Sequence, residues 1–196
     1  MLQVIILFIA AYLAGSVNIA ILLFKIIGKE DPRSKFSGNA GTVNIYRQAG
    51  LFWAAVVFIL DFSKAIGLSA LSLHLLEPEF APLICLGLLL GNRFPCFHGF
   101  RGGKGVANFL GFTAVITPIW AGAAAAVWVI VYLIVKTPFI ASLSMTILLA
   151  IGIIIANQYN QFSAVISILI VLFIIYNHKI NITEFKKNFK NQSKSP

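Results

Sequence analysis

LQVIILFIAAYLAGSVNIAILLF, residues 2–24, holds no charged side chain between Leu2 and Phe24, and the fold class follows from how such a run can be solvated. Wound as an α-helix it is roughly 35 Å long, enough to cross a hydrocarbon core of about 30 Å. No water is present there, so the backbone must satisfy its own hydrogen bonds, which a helix does. The run is continuous rather than alternating, which argues against a β-barrel strand. It lacks a basic segment before it and a small-residue cleavage pattern, its first positive charge being Lys25, so it is expected to be a retained helix rather than a cleaved leader.

The rest of the chain repeats the theme. Of 196 residues 59% are hydrophobic and 11% charged, with a mean hydropathy of +0.92, a balance that a water-soluble domain of this length could present only by exposing large apolar patches. Further apolar runs cover Ala49–Leu75, Phe80–Phe94, Val106–Ile116, Trp120–Val135, Phe139–Ile155 and Phe162–Tyr176. Val106–Ile116 is short for a crossing and is expected to be tilted or re-entrant. The prediction is an all-α, polytopic membrane bundle of about seven transmembrane helices. Residues 1–185 form one transmembrane domain, and residues 186–196 form a basic tail, disordered or bound to the membrane surface.

Charge sets the orientation. The stretches Lys25–Arg47, Arg93–Lys104 and the C-terminal lysines carry most of the basic residues, whereas Glu77-Pro78-Glu79 and Asn157–Gln161 contain no Lys or Arg. Positive-inside bias therefore places the N-terminus outside and the C-terminus in the cytoplasm, with three polar stretches on the inner side. The net charge of +9 is topogenic on this reading; no aromatic-studded basic groove interrupts the apolar runs, so nucleic acid is not expected as a partner. Cys85 and Cys96 are expected to be free thiols, their spacing suiting neither a metal site nor a disulfide framework.

Those inner stretches hold the chemistry-bearing residues. In Asp31–Arg47, Gly38 and Gly41 stand among Ser37, Asn39 and Asn44, and Arg47 offers a planar fork; such a stretch suits phosphate, and it also suits an ordinary loop. In Gly99–Val106, Gly102, Gly103 and Gly105 flank Lys104 just before a helical run. A helix N-terminus, a glycine-rich approach and a lysine make an anion cradle, distinct from a Walker loop because His98 and Gly105 stand where that motif needs Gly and Ser or Thr. His178 and Asn181, three apart at the inner end of the last run, would share a face if the helix continues. Asp61 and Lys64 lie inside the second run, as an internal ion pair or as a substrate contact. Gly87 and Gly91 have small-xxx-small spacing and mark packing, while Ser16 and Asn18 are expected to bond across helices.

At these residues the chain resembles the bacterial membrane glycerol-3-phosphate acyltransferases that use acyl phosphate as donor. The likeness rests on Asp31, Arg33, Ser37, Gly38, Asn39, Gly41, Asn44 and Arg47, on Phe100–Ala107, on His178 with Asn181, on Gly15-Ser16, and on Asp61 with Lys64. Departures are Asn18 for the family's Pro, Phe36 for Gly, Val43 for Thr, Ala65 for Gly and Asn92 for His, and the family's Gly-x-Glu near the C-terminus is missing.

The resemblance implies seven helices with the N-terminus outside, and transfer of a fatty acyl group from acyl phosphate to the sn-1 hydroxyl of glycerol 3-phosphate. The place is the bacterial inner membrane, with the active site facing the cytoplasm. No cofactor or metal is required, since acyl phosphate is already activated; membrane lipids are partners, and other lipid-synthesis enzymes are a further class. In that scheme Ser37, Arg47 and Lys104 are catalytic. Gly38, Asn39, Gly41, Asn44, Gly102, Gly103, Gly105, His178, Asn181, Asp61 and Lys64 bind substrate, with His178 and Asn181 on glycerol phosphate. The rival readings are a transporter of a phosphorylated solute, which basic loops and a buried Asp61 and Lys64 would also suit, and an inactive paralogue acting as a scaffold.

Overall fold

The structure, a computed structural model, describes residues 1–192, with side chains through residue 188. The described residues form helices joined by turns: α1 (Leu2–Ser16), α2 (Ile19–Ile26), α3 (Thr42–Leu75), α4 (Ala81–Arg93), α5 (Val106–Ile116), α6 (Pro118–Val135), α7 (Pro138–Ala156), α8 (Gln161–Asn177) and α9 (Lys179–Gln192). The molecule is an integral membrane helical bundle. Five stretches are long and apolar enough to cross a bilayer by themselves: Leu2–Ile26, Thr42–Leu75, Pro78–His98, Pro118–Val135 and Pro138–Ala156. α8 makes a sixth only together with α9, from which it is bent by 53°, and α5, with 11 residues, is about half a bilayer long. The seven expected runs are therefore all helical, and two of them differ in kind from the other five.

The first span is broken. Val17 leaves the helix, and Asn18 restarts it by accepting a hydrogen bond from Ile21 N–H at its side-chain oxygen. Asn18 is thus a helix cap, not the cross-helix partner expected; Ser16 does reach across, its Oγ accepting from Cys96 N–H at 3.3 Å. The carbonyl of Val17 freed by the break is taken by Lys64 Nζ at 3.2 Å, and the same ammonium pairs with Asp61 at 2.9 Å. Within a span, with Asp61 buried and Lys64 partly buried, this pair closes the break in its neighbour.

α1 and α4 run parallel and touch through glycines. A Cβ at Gly91 would fall on the Tyr12 carbonyl oxygen, one at Gly15 on that of Leu88, and one at Gly87 within 2.9 Å of that of Phe8. The small-xxx-small pair is thus a backbone-to-backbone seam, as its spacing predicts. Behind it Ile84, Leu88, Leu89, Phe109 and Phe112, all fully buried, join α4 to α5 at the centre of the bundle.

Polar residues segregate to two ends. At one end Asn160 Nδ2 donates to Glu79 at 2.6 Å, so the acidic turn and the uncharged Asn157–Asn160 turn meet. The other end gathers the glycine-rich stretches, the start of α7 and the α8–α9 junction. α9 continues through the 185/186 boundary expected between domain and tail; residues 193–196 of that tail lie outside the described residues.

Candidate active site

The site begins with a loop that folds onto itself. Asp31 caps a 3-10 turn at Pro32–Ser34 and grips Arg33 through both carboxylate oxygens, Oδ1 to Nε at 2.9 Å and Oδ2 to Nη2 at 2.6 Å. The guanidinium holds the Asp31 carboxyl below the usual carboxylate range. Its remaining arm donates to the carbonyls of His98 at 2.6 Å and Arg101 at 2.7 Å. Arg33 therefore fastens the first polar stretch to the second, a task that its place in the motif did not disclose.

Asn44 organises the loop from inside. Its Nδ2 donates to the carbonyls of Pro32, at 2.8 Å, and Asn39, at 2.9 Å, and its Oδ1 accepts from Ser37 N–H at 3.4 Å. Expected to bind substrate, Asn44 instead spends its amide on loop backbone. The loop passes through left-handed backbone at Phe36 (φ 52) and Gly38 (φ 61), so Phe36 holds a conformation that favours glycine, and then enters α3 with Gly41 as its cap. Thr42–Ala49 is the first helical piece of α3, ended by the kink at Gly50 (φ 84). It carries Arg47 to the site inside a stretch that reads as loop.

The second stretch packs so tightly that glycine is required. A Cβ at Gly102 would fall on the Asn92 carbonyl oxygen, and one at Gly103 would lie 2.7 Å from Asn92 Nδ2 and 2.9 Å from the Ala40 carbonyl oxygen. The N–H groups of Gly102 and Gly103 are engaged with the carbonyls of Arg93 and Asn92, at 3.0 and 2.9 Å. These two amides, expected to cradle an anion, are thus spent on α4. The donors free to do so belong to the first turn of α5, which starts after Gly105 in left-handed backbone (φ 87) and has no intrahelical acceptors for its leading N–H groups.

The two stretches open onto one cleft of about 720 Å³. Its polar end is lined by Ser37, Asn39, Gly41, Arg47, Gly103, Lys104, Gly105, His178 and Asn181. Two helix N-termini, of α3 and α5, meet there, each adding partial positive charge. Lys104 Nζ bonds to Asn181 Oδ1, while Asn177 Nδ2 reaches the Lys104 carbonyl at 3.4 Å. Burial, reinforced by Arg93 and Arg47 nearby, pushes the Lys104 ammonium down to about 8. Burial is the larger cause, and the neighbouring cations add to it.

His178 does not sit on a continuous helix with Asn181, as their spacing suggested. It ends α8, its Nδ1 donating to the Ile174 carbonyl at 2.8 Å, and Asn181 follows on α9. The bend still turns both toward the cleft. Of the intramembrane pair, Asp61 lines the wall and Lys64 does not. Beyond the polar end the cleft becomes apolar between Phe58, Leu110, Ala125, Trp128, Val129 and Met145, with Asn108 at the transition. Asn92, marked in the sequence only as a departure from the family's His, also lines it, as do Asn108, Lys136 and Glu184, which the sequence did not single out. Asn92 and Asn108 had a signal, each an amide within or beside an apolar run; Lys136 and Glu184 had none, because only the packing of α6 and α9 brings them there.

Comparison with known proteins identifies the family and the fold. The sequence model of the family described as glycerol-3-phosphate acyltransferase matches residues 5–188. The glycerol-3-phosphate acyltransferase of Thioalkalivibrio sulfidiphilus is 38% identical over 176 residues, covering 88% of this chain and 85% of the relative. That of Shewanella halifaxensis is 34% identical over 189 residues, 93% and 91% of the two chains. Among solved structures, PlsY (YgiH), an integral membrane glycerol 3-phosphate acyltransferase, superposes in its glycerol 3-phosphate form with a TM-score of 0.88 at 30% identity, over 95% of this chain and 93% of that one. Its lysophosphatidic acid form superposes with a TM-score of 0.85 at 29% identity, over the same shares of the two chains.

Proposed function

The chain belongs to the glycerol-3-phosphate acyltransferase family, and from that premise we propose that it takes its acyl group from acyl phosphate and delivers it to the sn-1 hydroxyl of glycerol 3-phosphate at the cytoplasmic face of a bacterial inner membrane. One observation carries the reading: a single cleft joins a cationic end, built from two helix N-termini with Lys104 and Arg47, to an apolar groove between membrane helices. A donor with a phosphate head and an acyl tail matches both halves. The solved relative's glycerol 3-phosphate and lysophosphatidic acid forms supply an acceptor and a product of the same chemistry.

In this scheme the acceptor hydroxyl oxygen attacks the acyl carbonyl carbon, the bond from that carbon to the phosphate oxygen breaks, and inorganic phosphate leaves. The hydroxyl proton passes to the departing phosphate. An acyl phosphate is an activated anhydride, so the protein's task is to align two phosphorylated groups and neutralise the one that leaves. Lys104, Arg47 and the α5 amides face the phosphates; Ser37, His178 and Asn181 hold the acceptor near them. Ser37 acts as a hydrogen-bonding group rather than as a nucleophile, since among the described residues no base is hydrogen-bonded to its hydroxyl. His178 already bonds through Nδ1 to Ile174, leaving its other nitrogen for substrate.

The test is purified protein given acyl phosphate and glycerol 3-phosphate. Phosphate release that requires both substrates, with 1-acyl-glycerol 3-phosphate as product, is the expected result. Solute flux in liposomes with no acyl product would replace the enzyme with a carrier, and trapping of labelled acyl on Ser37 would replace direct transfer.

A further inference from the structure

The place where the cleft changes from cationic to apolar is marked by one residue that neither half explains. Asn108 stands in the first turn of α5, is 2% exposed, and lines the cleft between Lys104 and the groove residues Leu110, Trp128 and Met145. Its Oδ1 is enclosed without a hydrogen-bond partner, and its amide makes no bond among the described residues. The enclosed oxygen can only accept, so what the side chain has to offer a ligand carbonyl is its Nδ2 donor, which is not among the fully enclosed atoms.

Asp61 and Ser142 also line the wall, and both are committed. Asp61 is paired with Lys64 at 2.9 Å. Ser142 Oγ donates to the Pro138 carbonyl at 2.9 Å and accepts from Trp128 Nε1 at 3.1 Å. Asn108 alone of the three has a donor to give. In an acyl phosphate the carbonyl carbon is bonded both to the phosphate oxygen and to the hydrocarbon chain, so it must lie where the cleft passes from cation-lined to apolar. Resting on the donor assignment above, we propose that the Asn108 side-chain amide donates to the acyl carbonyl oxygen, together with the α5 amides, and holds the negative charge that this oxygen gains when the acceptor hydroxyl adds. Asn108 is then a catalytic residue of the transfer and fixes which face of the carbonyl meets glycerol 3-phosphate.

Two variants separate donation from packing. Asn108→Asp keeps the shape and replaces the donor with a charged acceptor; Asn108→Leu keeps the bulk and removes both polar atoms without adding charge. Each is expected to lower kcat by about 100-fold; in Asn108→Leu the KM for glycerol 3-phosphate stays at the parent's value and the thermal midpoint is not lowered. Independently, a non-transferable acyl phosphonate with a 13C carbonyl, bound without acceptor, should show its infrared carbonyl band at lower frequency in the parent protein than in Asn108→Leu. A kcat within threefold of the parent in both variants, or the same band position in parent and Asn108→Leu, overturns the inference while leaving the acyltransferase reading in place. A parent protein that binds no acyl phosphonate removes the donor assignment and this inference with it.

Discussion

Lys104 is the residue on which the site's electrostatics turn. Its ammonium is pushed down to about 8 by burial and by Arg93 and Arg47; if Lys104 holds a phosphate as proposed, it must be protonated to do so, and raising the pH through about 8 would remove that charge. We expect kcat/KM for glycerol 3-phosphate to decline above pH about 8, and the residual activity of Lys104→Ala to lack that limb. Lys104→Ala and Arg47→Ala should each cost on the order of 2 kcal/mol of transition-state stabilisation, read as a fall of about 30-fold in kcat/KM; near-normal turnover in both would remove the phosphate cradle. Gly103 is a different kind of residue, needed for what it lacks. Gly103→Ala should destabilise the fold by about 1–3 kcal/mol and reduce turnover, because its Cβ meets Asn92 and the Ala40 carbonyl. An alanine variant with parental melting and rate would mean that the loop can shift at no cost.

Among the elements, the broken first span shows how a membrane helix can stop and restart at depth. Asn18 caps the second half, and Lys64 satisfies the carbonyl left by the first while pairing with Asp61. Removing one partner of a buried ion pair leaves an uncompensated charge, which costs about 3–5 kcal/mol. Lys64→Met should therefore lower the thermal midpoint sharply, and the double change Asp61→Asn with Lys64→Met should restore much of it; additive losses in that cycle would show that the two residues act separately. The parallel seam of α1 and α4 predicts a second outcome. Gly91→Leu should prevent the helices from closing and abolish recovery of folded protein, because no rotamer moves a Cβ off the Tyr12 backbone.

For the whole molecule, the decisive property is that the glycine-rich stretches and the α8–α9 junction share one end, with the Glu79 and Asn160 contact at the other. With Cys85 and Cys96 replaced, single cysteines at Ser37 and Arg101 should react with an impermeant thiol reagent only after cells are opened, and one at Gln158 should react in intact cells. Labelling of Ser37 and Arg101 from opposite sides of the membrane would dismantle the shared site and the proposed function together.

Solvent chemistry explains what was legible beforehand. An uncharged run such as Leu2–Phe24 has one way to cross hydrocarbon, and Lys and Arg settle where they stay hydrated, so helix content, approximate spans and the grouping of polar stretches are properties of composition along the chain. Gly87 and Gly91 announced a close seam for the same local reason, while Gly38, Gly41, Arg47 and Lys104 raised by residue type the expectation of anion chemistry. Tertiary structure alone decided which of those groups are free to act. Asn44 and the amides of Gly102 and Gly103 turn out to be occupied with carbonyls distant in sequence, Arg33 clamps two loops, and His178 reaches the cleft across a bend. Asn108 shows the converse, an amide that packing leaves without a partner. Whether a polar group is spent or available depends on its neighbours in space, and those are set by how helices pack rather than by the order of residues along any one of them.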